Sequence, residues 1–421
     1  MLRGEGQKYI GNNRLLRISY VLFLCGFAYY CVLPVVFLRF LPDYPISALA
    51  SRSGTGDDFA KLFSGLAMTY FALFLIGFRS VSQYTAVCKQ SMPSKRASPR
   101  LGIAIVGLYY LVAVFNISPG EILHPAGYLD GYDIVHRGQL TTLYLTAVWW
   151  FIFFERGIYA RSMFIVICLS AANLLSLGSR LGVITGLIAL VLYWAMFMQP
   201  SSTGRNPLRK MGSIKWVLLG FGIALSMAAI GILREGGGLN WEGILSIFIA
   251  ESIFIYSSVP AYLSYMPISI VAFPTEIFAS MLGAIPTFLW PSKLEFLNAY
   301  TSVPIEASSG FGGLNHIIAI LANFGLAGFP FAAFLEGAWF AYLAKRAQSS
   351  AFFRASALCT IALIPFILFR EGMQTTIKLV FFNFLLYPFF LTKLALYCKI
   401  SVNRSQAPQR DTSAGQAGTQ D

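Results

Sequence analysis

Three arginines stand in glycine-rich settings at the ends of long apolar runs: Gly178-Ser179-Arg180-Leu181-Gly182, Arg234-Glu235-Gly236-Gly237-Gly238 and Arg370-Glu371-Gly372. A guanidinium at the edge of hydrocarbon is costly unless it is paired or faces water. Its planar fork suits phosphate oxygens, bidentately, and neighbouring glycines let backbone N–H groups approach an anion closely. Two readings follow. Either the arginines snorkel to the interface and pair with Glu235 and Glu371, or Arg180, Arg234 and Arg370 converge on one anion.

A second set of residues can move a proton. Ser308-Ser309-Gly310-Phe311-Gly312-Gly313-Leu314-Asn315 leads into His316 at a helix start. Imidazole titrates near working pH, which suits a general base; the same residue can equally begin a helix and bind nothing. Glu306 and Glu235 are the alternative bases. Lys293 closes the stretch from Ile285 through Trp290 and Pro291, and reads either as an interfacial anchor or as a second cation for phosphate. Asp133, His136 and Arg137 mix carboxylate, imidazole and guanidinium in one short segment, a polar rim or a sugar-contacting loop. Its spacing matches no standard metal pattern, and no Walker loop or dinucleotide fingerprint sits in a usable context. No metal and no cofactor is expected.

The elements that must position these groups are membrane helices. Of 421 residues 57% are hydrophobic and 12% charged, with a mean hydropathy of +0.66; a soluble domain is about 25% charged. The apolar runs are roughly 17 to 25 residues long, enough to cross about 30 Å of hydrocarbon. An all-α, polytopic transmembrane bundle is expected, with spans near 18–38, 60–78, 101–118, 139–154, 162–178, 181–198, 216–233, 316–344, 355–369 and 376–397. The first run is too long for a typical signal peptide and is taken as a retained span. Two further stretches, 244–263 and 268–290, carry Glu251 and Glu276 and are interrupted by Pro260, Pro267, Pro274 and Pro286. They are either two more spans, giving twelve instead of ten, or re-entrant or interfacial helices.

Charge gives the orientation. With the N-terminus inside, 22 of the 31 Lys and Arg residues fall on the cytoplasmic side, the positive-inside pattern. Both termini are then cytoplasmic. The chain divides into a cytoplasmic 1–17, transmembrane helices over 18–233, a long outer loop over 234–325, C-terminal helices over 326–398, and a Ser/Gln/Gly-rich tail, 399–421, of disordered composition. All three histidines fall on the outer face. The net charge of +13 is spread between the spans and is not gathered on one face, which argues against nucleic acid. Cys25, Cys31, Cys168 and Cys359 lie in spans, and Cys88 and Cys398 lie in or beside cytoplasmic segments, so no disulfide framework is expected.

Three stretches give the chain a family likeness: Gly178-Ser179-Arg180 before a glycine-containing span, Ile285-Pro286 through Trp290-Pro291-Ser292-Lys293, and Asn323-Phe324-Gly325-Leu326-Ala327-Gly328 in a late span. In their order and in the plan of spans the chain resembles the Wzy-type O-antigen polymerases, which polymerise oligosaccharide repeat units. The resemblance implies a GT-C-like fold in the bacterial inner membrane and a glycosyltransferase working at the periplasmic face. Its substrate would be undecaprenyl-diphosphate-linked oligosaccharide, with the diphosphate at Arg180, Arg234, Arg370 and Lys293. A chain-length regulator protein would be a partner.

The related O-antigen ligases carry a histidine followed by Asn, Ser or Gln, and then Gly-x-x-Gly. Gly325 and Gly328 fit that tail, but Leu314 takes the histidine position, Asn315 the polar one, and His316 lies two residues late. That departure counts against a ligase. A lipid-linked sugar flippase or other transporter is a further class, because transporters place charges near the bilayer midplane in broken helices. Here the first six spans are almost free of internal charge, and only Glu336, together with Glu251 and Glu276 if their stretches count as spans, sits in apolar sequence. Polar residues gathered at one face favour the enzyme.

Overall fold

Long apolar runs become helices in lipid because only a helix satisfies its own backbone polar groups there. The computed structural model describes residues 3–40, 57–83, 134–154, 158–176, 179–197, 241–283, 290–299 and 313–394, with scattered positions between 100 and 111, between 222 and 229, and at 285. Among the described residues the chain is helical and forms no strand. Helix α1 (Arg3–Phe27) runs through a π-helical turn, Ala28–Val32, into α2 (Leu33–Phe40). Then follow α3 (Asp57–Gln83), α4 (Ile134–Phe154), α5 (Ile158–Ser176), α6 (Arg180–Met196) and α7 (Trp241–Tyr265). The late elements are α8 (Thr275–Gly283), α9 (Lys293–Ala299), α10 (His316–Arg346), α11 (Ala351–Leu363) and α12 (Gly372–Ile377), with π-helical extensions at Ile364–Leu368 and Lys378–Leu386.

Six helices among the described residues are long and apolar enough to cross a membrane: Arg14–Phe40, Phe59–Gln83, Gly243–Ser264, His316–Arg346, Ala351–Leu368 and Thr375–Leu394. Three shorter apolar helices, Leu140–Phe154, Tyr159–Leu175 and Arg180–Met196, match expected spans. The protein is a helical membrane protein. The first helix begins at Arg3, well before its apolar run, so the N-terminal segment is helical too. Of the expected spans 101–118 and 216–233 only scattered positions are described, all of them helical, and the tail lies outside the described residues.

The stretches 244–263 and 268–290 do not behave as a pair. The first is one helix of membrane-crossing length despite Pro260. The second opens as non-helical chain, where Pro267 and Pro274 remove backbone donors, and among its described residues the helix is the nine-residue α8.

Two glycines set the tightest helix contact. A Cβ on Gly77 would fall 2.0 Å from the Phe334 carbonyl oxygen, and one on Gly337 equally close to that of Phe74. Small residues let helix backbones meet in lipid. Tyr70 beside Phe329, and the Lys345 ammonium donating to Val81 O at 2.5 Å, show that the two helices run side by side in the same direction. Elsewhere Ser356 Oγ bonds Phe384 O at 2.5 Å, so α11 and the last helix form a hairpin whose turn is Arg370-Glu371-Gly372.

That turn and α10 are both broken by glycine. Gly372 has φ +69°, and Gly325 has φ +67°, a region L side chains rarely enter. His316 and Glu336 are 20 residues apart, which in an unbroken helix would be roughly 30 Å. Their side chains instead touch at 2.9 Å. Gly325 therefore folds α10 back on itself, into a short helix 316–324 and a long one 326–346. The extended segment before α8 secures the fold-back, with Leu326 and Ala327 N–H donating to Ser269 O and Ile270 O at 3.0 and 2.9 Å. A Cβ at Gly325 would meet Ile270 O at 2.7 Å. The glycine is thus needed for both its φ and its lack of a side chain.

Candidate functional site

The fold-back delivers His316 into the interior. Asn315 caps the short helix, its side-chain oxygen accepting Ile317 N–H at 3.1 Å. Asn315 is held in turn by Ser258 Oγ, which accepts its N–H at 3.0 Å, and its amide reaches Tyr30 O at 3.4 Å. The backbone that accepts this bond belongs to the π-helical turn at 28–32, a distortion frequent at functional sites. His316 is 1% exposed. Its Nε2 faces both oxygens of Glu336, at 2.9 and 3.0 Å, and Glu336 also accepts the Tyr70 hydroxyl at 3.0 Å. The Tyr70 and Phe369 rings stand edge-on to the imidazole at 5.8 and 6.0 Å.

This geometry assigns the tautomer. A carboxylate accepts only, so Nε2 carries the proton and a neutral ring keeps its lone pair on Nδ1. Nδ1 is buried and has no hydrogen-bond partner among the described residues. A histidine oriented by a carboxylate on one nitrogen, with a lone pair on the other, has the makings of a general base.

Beside it lies Arg370. Leu314 N–H donates to Arg370 O at 3.0 Å, and Leu314 pairs with Glu371 in an isolated bridge, so the approach to His316 and the Arg370 turn are stitched together. The guanidinium meets two carboxylates: Nε lies 3.2 Å from Glu251 Oε1, and Nη1 bonds Glu371 Oε1 at 2.5 Å. Tyr30 donates its hydroxyl to the same Glu251 oxygen at 3.1 Å. On the other flank, Asn323 donates to Glu276 Oε2 at 2.9 Å and accepts Glu276 N–H at 3.0 Å, capping the first turn of α8 from across the fold-back. Burial pushes the Glu276 carboxyl above the usual range, opposed by the Asn323 amide and by the nearby His316.

Of the residues expected from sequence, His316 and Arg370 are brought onto neighbouring segments, with Phe369 edge-on to the imidazole and Leu314 bonded to Arg370 O. Arg180 is the first residue of α6, which packs against the 364–368 stretch preceding Arg370. Lys293 is buried, and its ammonium donates to Gly283 O at 3.1 Å and Ile285 O at 2.6 Å. It satisfies carbonyls at the end of α8, as cations often do at helix C-termini. Burial holds its ammonium below the usual range. Arg234, Glu235, Glu306 and Asp133 lie outside the described residues, as do the side chains of His136 and Arg137. No group of three or more metal-ligating side chains occurs among the described residues.

Glu336, Tyr70, Glu251 and Tyr30 were not assigned to the site from sequence. Their signal was there in part: an acid inside an apolar run is functional by default. Comparison with protein-family models, with curated proteins and with solved structures gives no match.

Proposed function

We propose that this protein polymerises undecaprenyl-diphosphate-linked oligosaccharide repeat units, of O-antigen or another surface polysaccharide, at the periplasmic face of the bacterial inner membrane. In this reading the bundle has ten or twelve spans in a GT-C-like arrangement, both termini are cytoplasmic, and a chain-length regulator is a partner. The observation that carries the reading is an oriented histidine whose approach is bonded to the hairpin turn that holds an arginine. Joining two sugar units has two needs. The acceptor hydroxyl must lose a proton as it attacks the anomeric carbon, and the departing diphosphate gathers negative charge. Nδ1 of His316 is the site for that proton, with Glu336 stabilising the imidazolium through Nε2. Arg370 is placed to meet the diphosphate, where fixed cations act best in the absence of water.

A second reading is transport of the lipid-linked sugar. What favours it is the broken α10 and the acids Glu336, Glu276 and Glu251 beside the break, the arrangement transporters use at mid-membrane. A deletion strain separates the two. Loss of the polysaccharide ladder, with single capped units remaining, supports a polymerase. Loss of all units from the lipid core points to a flippase or a ligase, and an unchanged ladder in a strain with no second polymerase removes the assignment.

A further inference from the structure

We propose that Glu251 is a latch on Arg370 that an incoming diphosphate must displace, so that this one carboxylate sets the affinity of the site for its anion. The inference rests on the reading of Arg370 as the diphosphate ligand. Among the described residues one guanidinium here faces two carboxylates, Glu251 and Glu371, so formally one positive charge meets two negative ones. An anion approaching them is repelled. Arg370 can take a diphosphate only after one acid lets go.

The geometry selects which. Glu371 is the chain neighbour of Arg370, bonds Nη1 at 2.5 Å, and has its own N–H fixed on Ile367 O at 3.0 Å. Glu251 arrives from a different helix, α7, and approaches Nε at the longer 3.2 Å without the hydrogen bond that Glu371 makes. Its side chain is also the less enclosed by protein, 39% exposed against 30% for Glu371, so fewer contacts hold it in place. Tyr30 holds the same Glu251 oxygen at 3.1 Å and steadies the latch in its closed position. Displacement frees Glu251 from Arg370 only, while Tyr29, which bonds Phe248 O, keeps α7 on the π-helical turn at 28–32. The anion then occupies the Nε edge of the guanidinium, while Glu371 keeps its Nη1 end.

The test is diphosphate binding to the full-length protein in nanodiscs, with geranylgeranyl diphosphate and inorganic pyrophosphate titrated side by side. Glu251→Gln should bind both probes about tenfold more tightly than wild type, a change of about 1.4 kcal/mol. Tyr30→Phe, which loosens the latch without removing it, should give a smaller gain of the same sign and serves if Glu251→Gln fails to fold. Tighter binding of the prenylated probe marks a lipid as the source of the anion; equal binding marks a soluble diphosphate. If Arg370→Gln abolishes binding but both latch variants bind as wild type or more weakly, the latch is overturned and the Arg370 reading stands. If Arg370→Gln leaves binding unchanged, or if no form binds either probe, the Arg370 reading falls and the latch with it.

Discussion

Two polar chains run through the interior of this bundle, and they end differently. In one, Trp149 Nε1 donates to Ser356 Oγ at 3.1 Å, and Ser356 donates to Phe384 O. Every group is neutral, and the chain stops on a backbone carbonyl. In the other, Tyr70 donates to Glu336, Glu336 accepts from His316 Nε2, and the chain stops on Nδ1, a titratable atom with no partner among the described residues. A neutral chain closed on backbone ties α4, α11 and the last helix together and asks for nothing more. A titratable chain left open stabilises poorly, because the unpaired end carries its desolvation penalty. In the proposed reading the acceptor hydroxyl of the substrate completes it.

The comparison makes predictions that differ in kind. Arg370→Lys keeps the charge but loses the fork; polymer formation should fall by about 100-fold, in the range found for a lost charge-stabilising donor, with the melting temperature little changed. Equal rates would mean that Arg370 only pins the hairpin. Glu336→Gln keeps a hydrogen-bonding group of the same shape and removes the charge behind the imidazolium. Turnover should drop by about tenfold or more, consistent with the size of general-base effects, and the substrate KM should move little. A KM change alone would make Glu336 a binding group.

Ser356→Ala should reverse the pattern. It strands the Trp149 N–H in the core, which costs about 1–3 kcal/mol of stability, while turnover per folded molecule stays at the wild-type value. A loss of turnover without a loss of stability would erase the distinction between the two chains. The smallest effect is expected at Glu276→Gln. Burial raises the Glu276 carboxyl in the folded state, so the folded protein binds a proton more readily than the unfolded chain. Stability contributed by that proton is present at low pH and is lost as pH rises from the ordinary carboxylate range through the raised value. The glutamine, which mimics the protonated acid and still accepts from Asn323, should flatten that decline in a melting-temperature series across pH. A steeper decline would contradict the assigned sign.

Much of the fold was legible because span length and hydropathy are local properties: α3, α4, α5 and α6 fall where apolar runs put them. His316 was legible as the histidine of a glycine-rich approach, and Arg370 from its Arg-Glu-Gly triplet. Their partners were not, because a contact across 20 residues needs the fold-back at Gly325, and Asn323-Phe324-Gly325 reads equally well as the opening of a straight helix. The extended 266–274 segment was hidden for the same reason: its bonds go to Leu326 and Ala327, far along the chain. Lys293 read as an interfacial anchor or a second cation for phosphate, and only the structure shows it turned onto the carbonyls of Gly283 and Ile285. The π-helical turn at 28–32 left no mark in the sequence at all; it follows from packing against Asn315 and α7.

The most direct test of the account is a reconstituted reaction. The purified protein is placed in liposomes with lipid-linked repeat units, and products are sized on a gel, wild type beside His316→Asn. The asparagine fills much of the imidazole's space and cannot take a proton near neutral pH. If His316 is the base, the wild type makes a ladder of lengthening glycans and the variant leaves only single units, at equal levels of folded protein. A full ladder from His316→Asn, or movement of lipid-linked sugar across the bilayer with no new glycosidic bond, would contradict it.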